Sequence, residues 1–204
     1  MLGDEAGCHM LIMAPDQASA GSTLIELLIV LVLSAIVLAI GAPVMGRWVR
    51  DIEVRSKATM LLSALHAARS EALLRNTSVT LDLPDTEGRP GWQLACARVT
   101  SRCPAQIRRK VVDTGTAVRW GAAKFGSMPS FNTALGAGRE MPASIQFDHS
   151  GAVPAIASGV GIARLDVTHQ QDAEAHRMVV LISAQGMVRV CDPSASAGHP
   201  QHCH

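Results

Sequence analysis

From Leu24 to Met45 the chain reads LIELLIVLVLSAIVLAIGAPVM, and this stretch decides the fold. As a helix rising about 1.5 Å per residue it would be roughly 33 Å long, enough to cross the apolar core of a bilayer. Glu26 is the single ionisable residue within it. No polar face interrupts the run, which argues against the core helix of a water-soluble domain. A carboxylate in such a span is costly, and it needs a partner. The segment therefore predicts a single-pass transmembrane helix, whose one charge has a role.

Immediately upstream stands Gly21-Ser22-Thr23-Leu24-Ile25-Glu26. This resembles the processing site of type IV prepilins: a Gly, a cut, a new N-terminal residue, then Thr-Leu-Ile-Glu and an apolar helix. The resemblance implies cleavage between Gly21 and Ser22 by prepilin peptidase and N-methylation of Ser22. It also implies that Glu26 neutralises the new ammonium of a neighbouring subunit during assembly. The partners implied are other pilins or pseudopilins, the prepilin peptidase and an inner-membrane assembly platform. Residues 1–21 then form a leader, with Asp4, Glu5 and Asp16 and no Lys or Arg. The positive-inside rule alone would instead keep Arg47, Arg50, Arg55 and Lys57 in the cytoplasm. A secretory signal peptide is the competing reading, with its cut near Gly41 and a mature start at Ala42.

Beyond Pro43, the residues Trp48, Ile52, Ala58, Leu61, Leu62, Leu65, Ala68 and Ala72 recur at helical spacing, with Arg50, Glu53, Lys57, Arg69 and Glu71 between them. That pattern predicts an amphipathic helix to about Asn76, its apolar stripe packed on a sheet. Arg69 and Glu71, two residues apart, do not face each other on a helix and take separate roles. The stretch Ala68-Arg69-Ser70-Glu71-Ala72-Leu73-Leu74-Arg75-Asn76 resembles the corresponding segment of the FimT/GspH family of minor pilins and pseudopilins.

After Asn76 the apolar period becomes alternating. Strands are expected at 78–83, 92–99, 117–120, 144–148, 162–168, 178–182 and 187–191, the last two as a hairpin. Residues 121–143, rich in Gly, Ala and Ser, read as a long loop, and Asp148-His149-Ser150 reads as a hairpin tip. The fold class expected is α+β and pilin-like: a long N-terminal helix, half membrane-spanning and half amphipathic, packed on a small antiparallel sheet. The domain plan is a leader at 1–21, a transmembrane helix at 22–46, its amphipathic continuation at 47–76, and a periplasmic β-rich domain at 77–204.

The 204 residues carry 18 Lys and Arg against 17 Asp and Glu, but three of the acids fall in the leader, leaving +4 on residues 22–204. Five cysteines become four once Cys8 leaves with the leader, an even set suited to an oxidising compartment. Four cysteines allow three connectivities. The local pairs Cys96–Cys103 and Cys191–Cys203 are favoured because both lie in turn-rich sequence. His199, His202 and His204 with Cys191 and Cys203 offer zinc or copper ligand types, but their spacing matches no established finger. A polar tail closed by a disulfide is preferred, and no metal or cofactor is implied.

No nucleophile elbow, phosphate loop, metalloprotease helix motif or dinucleotide glycine fingerprint occurs, so the chain is not read as an enzyme. The function implied is a minor pilin or pseudopilin subunit of a type IV pilus or type II secretion pseudopilus. Some members of the FimT branch bind DNA during natural transformation through Gly-Arg-x-Arg in the final hairpin. Here the matching positions are Gly186-Met187-Val188-Arg189, so Arg189 alone carries over. Arg108, Arg109 and Lys110 are further candidate phosphate contacts, as are Arg98, Arg102 and Arg119, although a run of three cations also suits a solvated loop. Weak DNA binding is the alternative function.

Overall fold

In a computed structural model, residues 23–171 and 176–204 are described, with the backbone alone at 42–44. The first element is α1 (Leu24–Arg75), followed by β1 (Val79–Leu83), β2 (Trp92–Cys96), β3 (Arg108–Lys110) and β4 (Val118–Lys124). A 3-10 turn (Phe125–Ser127) then leads by a loop to β5 (Ala143–Phe147). The short helix α2 (Pro154–Ala157) precedes β6 (Ile162–His169), β7 (Met178–Ile182) and β8 (Val188–Cys191). The chain divides into two units, Met1–Pro43 and Val44–His204.

Every described side chain from Leu24 to Ile40 is exposed. In the second unit, Val54, Ala58, Leu61, Ala64, Leu65, Ala68 and Ala72 form one buried stripe on α1. Four of these are alanines, so the packed sheet backbone can approach the helix closely. The helix ends where the sequence says it should. Asn76 adopts φ +48°, its N–H donates to the Leu73 carbonyl, and the Thr77 N–H donates to the Ala72 carbonyl. This is a Schellman cap with Asn in the left-handed position usually held by Gly.

Two four-stranded antiparallel sheets, rather than one, complete the domain, in the orders β3-β2-β1-β5 and β4-β6-β7-β8. Val79, Leu81, Ile145 and Phe147 from the first and Trp120, Leu165, Val167 and Val180 from the second join the α1 stripe in one core. The apolar positions alternate along β1 and β5, as a sheet with one covered face requires.

Three expectations are corrected. The run Arg108-Arg109-Lys110 is not a loop; it is β3, the terminal strand of its sheet. The expected long loop loses its first residues to β4, which runs to Lys124. Gly121, Ala122 and Ala123 are small because residues 135–136 lie against the strand: a Cβ on Gly121 would strike the Gly136 carbonyl. Asp148-His149-Ser150 is a turn, but not a hairpin tip, because β5 pairs with β1 and the chain after the turn enters α2.

Candidate assembly and interaction sites

Gly21 and Ser22 lie outside the described residues. Thr23 is the N-cap of α1, and its Oγ1 accepts a hydrogen bond from the Glu26 N–H at 3.3 Å. Thr-x-x-Glu is thus half of a capping box, a local role for the motif that its sequence signature already carried. The Glu26 carboxylate is exposed among apolar neighbours, and among the described residues it has no ion-pair partner. In an apolar solvent that group calls for a cation from outside the described chain.

The cysteines pair locally: Cys96 with Cys103, and Cys191 with Cys203. The first closes the loop after β2, and Arg75, at the end of α1, donates to the Arg102 carbonyl within it at 2.6 Å. Arg75 also binds Glu71 at 2.7 Å, one helical turn earlier. Arg69 does something different. Gly151 and Gly186, both at positive φ, pack against it, and a Cβ on Gly186 would strike the Gly151 carbonyl. The turn of the β7–β8 hairpin is therefore a packed junction with α1 and the 148–152 turn.

The candidate DNA contacts are divided between the two sheets. Arg189 stands on β8, where its guanidinium contacts the His204 carbonyl and faces His204 Nε2 at 3.0 Å. Met187 beside it is exposed. Arg119 is buried and donates to the Thr116 and Val118 carbonyls, each at 2.8 Å, so it faces no ligand. Arg108, Arg109 and Lys110 are exposed along β3, and among the described residues none has an ion-pair partner. Of the tail histidines, His202 Nδ1 lies 2.8 Å from the Ala195 carbonyl, and His199 Nδ1 accepts from the Gln201 N–H at 3.1 Å. The Cys191 and Cys203 sulfurs are bonded to each other.

Sequence reasoning missed a buried ionic cluster beneath the 128–135 loop. Arg164 and Asp166 are fully buried and paired at 2.7 Å, and Arg177 reaches Asp166 at 2.6 Å. Arg164 also donates to the carbonyls of Pro129, Ser130 and Thr133, while the Leu135 N–H donates to Asp166. The alternation along β6 pointed to a polar face; nothing local announced that a loop would cover it.

Two surface carboxyls are held below their ordinary range. Asp113 is lowered first by its hydrogen bond from Lys57 at 2.5 Å, and Asp148 first by the Ser150 hydroxyl at 2.6 Å.

The family model described as type II transport protein GspH matches residues 57–186, and that of the prokaryotic N-terminal methylation motif matches residues 16–42. The chain belongs to the GspH family. As a GspH-family protein it is a minor pilin or pseudopilin of the type IV pilus and type II secretion class. Among solved structures, the GspH-family chain is similar to the type IV minor pilin FimU of Pseudomonas aeruginosa, with 16% identity and a TM-score of 0.46, over 74% of this chain and 96% of that one. It is also similar to the minor pseudopilin EpsH of the Vibrio cholerae type 2 secretion system, with 10% identity and a TM-score of 0.47, over 70% and 99%. No curated protein matches it in sequence.

Proposed function

We propose that the protein is made as an inner-membrane precursor, cut between Gly21 and Ser22 by prepilin peptidase and methylated at Ser22. Residues 22–46 then anchor it by a single pass with the 77–204 domain in the periplasm, residues 47–76 continue the helix, and the subunit is drawn into a pilus or pseudopilus. Its partners are other pilins or pseudopilins and the inner-membrane assembly platform, and Glu26 docks the ammonium of a neighbour. The subunit works by interaction, with no catalysis of its own. One observation carries this reading: a methylation motif over the apolar helix precedes the GspH region in the same chain. Mass spectrometry of the mature N-terminus tests it. A methylated Ser22 start is expected; a start at Ala42 overturns it.

A narrower reading, a DNA-binding subunit for uptake during transformation, has support in the exposed Arg108, Arg109 and Lys110. Gel retardation of the full chain in detergent across a salt series tests it, since phosphate contacts weaken steeply with salt. No retardation at low salt ends that reading.

A further inference from the structure

The segment that holds β2 and β3 is strongly one-sided in charge. From Gly88 to Val112 there are six bases, Arg89, Arg98, Arg102, Arg108, Arg109 and Lys110, and no acid, although Arg89 pairs with Glu87 just before it. The next acid, Asp113, is taken by Lys57. Three of the six occupy consecutive positions of β3, which pairs with β2 on one side and is terminal in its sheet. Cationic edge strands prevent a sheet from pairing with its own copies, because like charges would face one another. The same arrangement selects an anionic strand.

The geometry separates an extended peptide from a duplex. Successive side chains of a strand point to opposite faces. Arg109 shares its register row with Gln93, Asp82 and Ser144, whereas Arg108 is opposite the buried Leu94. Arg108 and Lys110 therefore lie to one side of the sheet plane and Arg109 to the other. A rigid duplex laid on either face meets only part of the triplet. A strand added in the plane of the sheet brings its own alternate side chains beside both sides, and its backbone pairs with the free edge. Beside β3 a groove of about 620 Å³, lined by both Arg109 and Lys110 with Trp92, Val112, Pro142 and Asp82, leaves room for a side chain of that strand.

We infer that the free edge of β3 is a docking strand for an extended acidic segment of a protein partner, joined by strand addition and by carboxylates set against Arg108 and Lys110. The inference does not depend on which filament the subunit joins or on how its N-terminus is processed.

The test uses the full chain in detergent micelles and fluorescent peptides at neutral pH. The probe is acetyl-Val-Glu-Val-Glu-Val-Glu-amide; its controls are the Lys counterpart, a version N-methylated at every backbone amide and a short DNA duplex. The acidic peptide should bind, and the Lys peptide should not. Triple charge reversal (Arg108→Glu, Arg109→Glu, Lys110→Glu) should weaken acidic-peptide binding by at least about tenfold and transfer binding to the Lys peptide. The N-methylated peptide keeps the charge but has no N–H left to donate from either edge, and should not bind. The proposal is overturned if the acidic peptide fails to bind, if charge reversal leaves its binding unchanged, or if the N-methylated peptide binds equally well. Duplex binding lost on charge reversal, with no peptide binding, would assign the edge to nucleic acid instead.

Discussion

Between Leu24 and Ile40 the side chains of α1 are exposed on all sides, whereas between Val54 and Ala72 the same helix confines its buried residues to one stripe. Both lengths are rich in apolar side chains, but they are built for different solvents. In the first, an all-round apolar surface is stable only against lipid or other apolar helices. In the second, Arg55, Thr59, Ser63, His66 and Ser70 keep one face in water while sheets cover the other. Composition alone makes the two lengths look alike; the angular distribution of the apolar residues separates them.

The contrast can be broken by replacing residues whose burial it relies on. Asp166→Ala should have the largest effect, about 3–5 kcal/mol, because it leaves Arg164 buried without its counter-charge. Urea unfolding of the full chain in micelles, followed by near-ultraviolet dichroism of the buried Trp120, measures it. Leu65→Ala should cost about 2–5 kcal/mol in the same assay. Its counterpart Leu31→Ala should leave the unfolding midpoint of the sheet domain unmoved, and an equal shift would overturn the contrast.

A smaller change sharpens the lower end of the helix. Asn76→Val places a β-branched residue at positive φ and should cost about 1–2 kcal/mol, while Asn76→Gly should not destabilise. The smallest effect is on pH dependence. Asp113 and Asp148 titrate below their ordinary value of 3.8 in the folded chain, so their contribution is complete above that pH. It is lost as pH falls through the lower folded values. Lys57→Met or Ser150→Ala should flatten the loss of stability below about pH 4, as read from acid-unfolding midpoints.

The stripe from Ala58 to Ala72, the helix end near Asn76 and the paired strands β7 and β8 were legible because each is written in nearby residues. The methylation-motif stretch over the apolar helix was legible for the same reason, and so were the two local cysteine pairs. What escaped was non-local. Arg108-Arg109-Lys110 has the composition of a solvated loop because an edge strand shows its side chains to water. Gly121-Ala122-Ala123 looked like a linker because small residues admit a second backbone as readily as they loosen a chain. Arg164 and Asp166 carry no local mark of burial, because the carbonyls that close over them come from the distant 129–133 loop. The division of the strands into two sheets had no local signature either.

The two disulfides have a consequence for the order of events in folding. They span only 7 and 12 residues, whereas any alternative pairing would join cysteines from opposite ends of the domain. Loop closure is fastest and least costly in entropy over short separations. Oxidation of the unfolded chain should therefore reach the native pairs while the sheets are still assembling. A reduced and unfolded subunit should regain both bridges without a shuffling catalyst.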